Sequence, residues 1–207
     1  IQAAQGSGVF DKVIVNSENP IFQKTAERYG CDFYLRSNDL GSSAAKSDSV
    51  VNDFIRSFPD ADIVAWVNPI SPFQTKDEIQ EIVQYFLNNN LDSLITVENK
   101  QVHCIYKGNP VNYDKDGLFA QTQDLTPVQA FVYSIMIWRS SVFVTEYAKH
   151  GHALFCGRFG VHPVRKRTEI IIKTQEDLVL ADLLMRAIKT KNDGFLVQYD
   201  DLISLTE

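Results

Sequence analysis

The chain has 207 residues, 44% of them hydrophobic and 22% charged, with a formal net charge of −6. This composition suits a globular protein with a full core, and a single domain over residues 1–207 is expected. The acidic balance gives no electrostatic basis for nucleic-acid binding, and no apolar run approaches the roughly 18 residues a membrane span needs.

Cys31, Cys104 and Cys156 are scattered and odd in number. That pattern fits reduced thiols, read as small buried hydrophobes, in a cytoplasmic protein rather than a disulfide framework. At the start of the chain, Ile1 to Gln5 read as the last turn of a helix closed by Gly6. Val13 to Val15 is a short buried-type strand, ended by the polar run Asn16 to Asn19, and Pro20 suits the first position of a helix that stops at Gly30. Phe33 to Leu35 is a second strand. Ser47 or Asp48 can cap a helix from Ser49 to about Phe58, with Val50, Val51, Phe54 and Ile55 facing inward.

Ile63 to Val67 has the pattern of a strand buried on both faces. Asn68, Pro69, Ser71 and Pro72 break it with a tight turn. Thr75 then opens a helix, with Glu78 at capping-box spacing, and Ile79, Ile82, Val83 and Phe86 fall on one face at i, i+3, i+4 and i+7. Asn88 to Asn90 stop that helix, and Ser93 to Val97 is the next strand. Alternation of short apolar strands with helices predicts a doubly wound α/β fold around a largely parallel sheet. In such sheets, ligands bind at the carboxyl ends of the strands.

From Glu98 to Phe131 the rhythm changes. A hairpin is expected around Gly108-Asn109-Pro110, followed by a polar loop, and an excursion of this kind forms an arm, a lid or a subunit contact. Tyr133 to Trp138 returns as a strand, and Ser140 caps a helix to about His150. Leu154 to Phe159 and Thr168 to Ile172 read as extended. Thr174 with Asp177 starts the last helix, whose expected buried stripe is Leu178, Ala181, Leu184, Met185 and Ile188. The tail 192–207 is too short for a domain and is expected to pack on the surface or fray.

Weighed alone, the candidate chemistry is sparse. His150 and His152 lack a third ligand at suitable spacing and read as a surface turn. The basic run Arg158 to Arg167 reads as a solvated loop or strand edge. No glycine-rich phosphate loop or nucleophile elbow is present.

Several segments in chain order carry a resemblance: FDKVIVNSE at 10–18, RSNDL at 36–40, PISP at 69–72, LDSLITVE at 91–98 and IIKTQEDLVLADLLM at 171–185. Together they resemble the acylneuraminate cytidylyltransferase family, which makes CMP-sialic acids and related CMP-activated nonulosonates. The resemblance implies a nucleotide-diphospho-sugar transferase-like fold: α/β, doubly wound, with a mostly parallel twisted sheet. It also implies that the β-hairpin excursion 98–131 is a dimerisation or lid element of a homodimer. The implied reaction is transfer of CMP from CTP to a keto-sugar acid with release of pyrophosphate, assisted by Mg2+. By the same resemblance, Ser17, Arg36 and Ser71 would line the nucleotide site, and Gln123 and Ser134 would face the sugar. The family's N-terminal strand and triphosphate-binding loop would lie upstream of Ile1, so a longer N-terminus is expected. The family's paired metal-binding aspartates align on Ile171 and Lys173, and an arginine of its Arg-Pro-Asn-Gly-Ala motif aligns on Val132. Lys173 could place its ammonium where a metal sits. A catalytically degenerate paralogue that binds nucleotide, sugar or a partner without turnover is the alternative reading.

Overall fold

A computed structural model describes residues 1–189. The chain divides into two compact units, Ile1–Ile171 and Ile172–Glu207; the expectation for residues 192–207 lies outside the described residues.

In the first unit, β1 (Ile14–Ser17) and β2 (Asp32–Leu35), connected through α2 (Gln23–Tyr29), form a parallel pair. A second sheet has the order β3-β7-β4-β8, from β3 (Ile63–Val67), β7 (Val128–Arg139), β4 (Ser93–Lys100) and β8 (Phe159–Pro163). Here β4 pairs parallel with β8, while β7 runs antiparallel to both β3 and β4. Three strands therefore share one direction and only β7 opposes them. The chain leaves β4 into the excursion and comes back alongside it, so the returning strand must run the other way.

The central strands divide their side chains between two cores. Ile135 and Ile137 of β7 with Leu94 of β4 join Ile79, Ile82, Val83 and Phe86 of α4 (Lys76–Asn88) on one face. Met136, Trp138 and Ile95 join Val51 and Ile55 of α3 (Ser47–Ser57) and Phe143 of α5 (Ser140–His150) on the other. This period-2 split explains why residues 135–138 read as a continuous apolar run: both faces of the sheet are covered. The four α4 side chains are those the 3.6-residue period selected, and Ile79, Ile82 and Phe86 are fully buried.

Several local expectations are corrected. The first helix, α1 (Gln2–Ser7), closes at Gly8 in the left-handed region rather than at Gly6. The N-cap of α3 is Lys46, without a side-chain bond. Asp48 instead accepts from the backbone N–H groups of Ala153 and Leu154, at 2.6 and 3.0 Å, and ties that loop to α3. The hairpin forms, but its turn is Lys107-Gly108, both at positive φ as a two-residue hairpin requires, so Asn109–Pro110 is the second strand, β6, opposite β5 (Ile105–Tyr106). The segment read as extended from Leu154 begins its strand only at Phe159, and residues 168–172 form no strand. The basic run is indeed at a sheet edge, because β8 is the outermost strand.

The three thiols are unpaired. Burial, aided by the charge of Asp92, pushes the Cys156 thiol up to about 11, whereas Cys31 and Cys104 are only partly buried. Because the thiolate is the nucleophile, a disulfide reagent at pH 8 is expected to titrate two thiols in the folded protein and the third only after denaturant is added. Three equally fast thiols would contradict this packing.

In the second unit, α6 (Gln175–Lys189) starts as the sequence suggests: the Asp177 N–H donates to Thr174 Oγ1. Asp177 Oδ2 in turn accepts from the N–H groups of Lys173 and Thr174, at 2.9 and 2.8 Å, and these bonds hold its carboxyl below the usual range. Ala181 is buried, and Leu184, Met185 and Ile188 are half-buried. Leu178 departs from the expected stripe and is exposed, as are Val179, Leu180 and Leu183.

Candidate functional site

Two polar clusters lie at strand carboxyl ends. The first is where β1 and β2 finish. Glu18, Pro20, Leu35, Arg36, Ser37 and Asn38 line an open depression there of about 400 Å³. Arg36 is the organising charge. Its Nη1 donates to the carbonyl and to Oδ1 of Asn16, at 3.0 and 3.1 Å, and its Nη2 donates to Glu18 Oε2 at 2.6 Å. Its Nε is buried without a partner among the described residues. Ser17 joins this group through the Arg36 N–H, which donates to the Ser17 carbonyl at 3.2 Å. The Ser17 hydroxyl accepts from the Asn19 N–H, leaving its own proton available. Gly41 packs so closely on Glu18 that a Cβ there would collide with the Glu18 side chain. The loop after β2 thus holds Glu18 against Arg36.

The second cluster spans the carboxyl end of the larger sheet. The turn after β3 and the loop after β8 leave opposite edges of that sheet and meet over its end. The Ser71 hydroxyl donates to the Thr168 carbonyl at 3.3 Å. Glu78, in the first turn of α4, is 1% exposed. Its Oε1 accepts from the Arg165 N–H and its Oε2 from the Thr168 hydroxyl, both at 2.6 Å. Outside this buried core, Arg165 Nη2 donates to Glu81 at 2.5 Å. Thr75 caps α4 as expected, accepting from the Glu78 N–H at 3.2 Å, but the Glu78 side chain turns away from a reciprocal capping box toward the loop after β8.

Ser17 and Arg36 therefore come together, and Ser71 belongs to the second cluster. Gln123 lies exposed in the excursion; its side chain donates to Gln121 Oε1 and its carbonyl accepts from Gln101 Nε2 at 2.8 Å. Ser134 is fully buried in β7, sharing a 2.9 Å hydrogen bond with Thr96. Its place is the interior of the sheet, where the two hydroxyls satisfy each other, rather than a surface a sugar reaches. His150 and His152 are exposed on the turn that ends α5.

Two residues were not singled out by sequence reasoning. Glu78 was read only as a cap. Its position four residues before Ile82 puts it on the buried face of α4, a signal that a carboxylate there needs internal partners. Gln74, 9% exposed, buries both amide atoms without a partner among the described residues, and no spacing rule marks it.

The segment where the resemblance expects metal ligands does not fit magnesium. Mg2+ takes oxygen ligands, with carboxylates as its protein donors. Ile171 packs against the core around α4, and Lys173 is an exposed cation. Of the nearby acids, Glu169 pairs with Lys166 at 2.6 Å, Asp177 caps α6, and Glu176 is a single exposed carboxylate in the first turn of α6. Among the described residues, no three His, Cys, Asp or Glu side chains converge as a metal centre requires.

A doubly wound α/β fold with polar clusters gathered at strand carboxyl ends is the layout of proteins that bind ligands at those ends. The family model for cytidylyltransferase matches residues 1–184, and the chain belongs to that family. It is 34% identical over 86 residues to N-acylneuraminate cytidylyltransferase of Escherichia coli O18:K1:H7, covering 42% of this chain and 20% of the relative. Against N-acylneuraminate cytidylyltransferase of Streptococcus agalactiae serotype III it is 20% identical over 187 residues, covering 86% of this chain and 44% of the relative. The chain thus spans less than half the length of these curated relatives. The solved structure of CMP:2-keto-3-deoxy-manno-octonic acid synthetase complexed with CTP shares the fold, with a TM-score of 0.66, 11% identity, and coverage of 90% of this chain and 86% of that one. No helix among the described residues is long and apolar enough to cross a membrane.

Proposed function

We propose that this chain handles a cytidine nucleotide and transfers CMP from CTP to a sialic-type keto-sugar acid. The observation that carries the reading is the family match across residues 1–184. Relatives named for N-acylneuraminate and for 3-deoxy-manno-octulosonate support an acidic keto-sugar as acceptor. In this reading the anomeric oxygen bonds to the α-phosphorus, the bond to the β-phosphate breaks, pyrophosphate departs and the hydroxyl proton passes to solvent. The chain's contribution is positioning and charge. Arg36 supplies positive charge in the depression beside Ser17, and the Ser71 turn is held in place by Thr168 and Glu78. Gln123, on the excursion, is the proposed sugar contact. Exposed Ile105, Tyr106, Leu118 and Phe119 of that excursion support a homodimer contact, and the unpaired thiols support a cytoplasmic protein.

The test is pyrophosphate release by the full chain with CTP and a panel of nonulosonic acids. Release with any acceptor supports the proposal; silence across the panel removes turnover. A half-buried, apolar Ile171 where an acid is expected favours a second reading, a paralogue that binds nucleotide without turnover, for which CTP binding with no pyrophosphate release is the signature.

Glu18 competes with any anionic ligand for Arg36. Glu18→Gln is therefore expected to tighten CTP binding severalfold, and Arg36→Ala to weaken it about tenfold, about 1.4 kcal/mol. Titration calorimetry measures both; unchanged affinity in the two variants would move the nucleotide away from this depression.

A further inference from the structure

We infer that the depression beyond β1 and β2 is a subsite for a two-oxygen anion held across the Nε–Nη2 edge of Arg36, and that Glu18 is a placeholder on this edge until the ligand's anion replaces it. The inference rests on the reading above of a ligand bound in this depression and deepens it by naming the group that Arg36 receives. The phosphate of a nucleotide and the carboxylate of a sugar acid share that chemistry.

A guanidinium offers two N–H donors side by side along its Nε–Nη2 edge, and carboxylates and phosphates match that fork with two oxygens. In Arg36 the fork is half used. Its Nη2 donates to one oxygen of Glu18, Oε2 at 2.6 Å, while Nε is buried without a partner among the described residues. The remaining corner is spent: Nη1 donates to the carbonyl and to Oδ1 of Asn16, so the plane of the guanidinium stays fixed when Glu18 leaves. An unmet buried donor is costly, and a ligand that brings two oxygens satisfies it where Glu18 does not. The open depression of about 400 Å³, bordered by Pro20, Ser37 and Asn38 as well as by the pair itself, has room for such a group.

Gly41 keeps Glu18 in this half-fit. Arg36 and Gly41 stand on the same loop after β2, with Gly41 at the end of a short 3-10 turn, Asn38–Gly41. The Glu18 side chain comes from the loop after β1 and passes so close to Gly41 that a Cβ there would collide with its Cβ, Cγ and Cδ atoms. Glu18 fits only because position 41 has no side chain. The pair is also only partly buried, with side-chain exposures of 18% for Arg36 and 34% for Glu18, and ion pairs open to water hold weakly. An anion that engages both donors therefore displaces a carboxylate that engages one, and Glu18 turns out to solvent.

The experiment is calorimetric titration of the full chain and its variants with CTP, with N-acetylneuraminic acid and with cytidine, which has no anionic group. Glu18→Ala frees the edge. Gly41→Ala drives Glu18 from it, and the backbone there lies outside the left-handed region, so alanine brings only the collision. Each change is expected to tighten CTP or the sugar acid about fivefold. The double variant is expected to bind no tighter than the better single one, because both changes act on one contact. Cytidine affinity is expected to stay within about twofold. A gain with CTP alone assigns the edge to phosphate, and a gain with the sugar acid alone assigns it to carboxylate. Arg36→Lys keeps the charge without the fork; added to Glu18→Ala, it is expected to weaken the ligand that gained by about tenfold. If Gly41→Ala fails to fold, Glu18→Ala with and without Arg36→Lys decides alone. No gain with either anion, a cytidine gain equal to theirs, additive gains in the double variant, or a lysine that serves as well as arginine would overturn the inference. A gain for the sugar acid in a chain that never binds CTP would overturn the nucleotide reading and leave this inference standing. CTP bound equally by wild type and Glu18→Ala, with no gain for the sugar acid, would do the reverse.

Discussion

Replacing Glu78 by alanine is expected to destabilise the first unit by about 3 kcal/mol, because a buried, charge-assisted pair of hydrogen bonds disappears and leaves its donors stranded. The Arg165 N–H and the Thr168 hydroxyl both lose their acceptor in a place where water does not reach. For a chain of this size the melting temperature should fall by roughly 6–12 °C. Glu78→Gln keeps the volume and one acceptor but presents an amide N–H to the second donor, so an intermediate loss of about 1–2 kcal/mol is expected. The functional consequence follows from connectivity: Thr168 also receives the Ser71 hydroxyl, so the turn after β3 should loosen together with the loop after β8. Hydrogen exchange at residues 68–71 and 164–168 would show both segments losing protection. An alanine variant that melts like wild type, with exchange unchanged at both segments, would mean that the carboxylate bridges nothing of consequence.

The second large effect is expected at Trp138. Its ring is fully buried between β7 and α5, in edge-on contact with Phe143, and its Nε1 donates to the Leu154 carbonyl at 3.0 Å. Trp138→Ala should cost about 4 kcal/mol, combining lost burial with a cavity that a central strand cannot collapse into. Trp138→Phe retains most of the packing but strands the Leu154 carbonyl, and about 1–2 kcal/mol is expected. The chain has two tryptophans, so Trp66 remains as a fluorescence probe for denaturant unfolding of either variant. Equal midpoints for the alanine and phenylalanine variants would contradict a role for ring volume.

These two residues also mark the boundary between what pattern and tertiary structure control. The strand that ends at Trp138 was legible as a short apolar run, and the α4 face Ile79, Ile82, Val83 and Phe86 was legible because burial imposes a 3.6-residue period on a helix that survives in one dimension. The Thr75 cap and the Thr174-Asp177 start of α6 were equally legible, since capping joins residues three apart in the chain. So was the class of fold, because strands and helices alternate at lengths that leave few alternatives.

What sequence could not supply were partnerships between distant residues. Asp48 looked like a cap and instead holds Ala153 and Leu154. Glu78 looked like half of a capping box and instead bridges to Arg165 and Thr168. In both cases a short polar side chain had a local partner available by spacing and found a better one across the fold. Motif alignment alone put Ser134 beside a sugar, but its position in a strand sandwiched by two cores buries it against Thr96. The direction of β7 was likewise decided by the path of the excursion, not by the composition of the strand. By itself the sequence determined most of the elements, the buried face of α4 and the family, because these depend on local periodicity and on residues in chain order. Only the tertiary structure decided which polar groups at the strand ends are free and which are spent, because hydrogen bonds between residues far apart in the chain leave no local pattern to read.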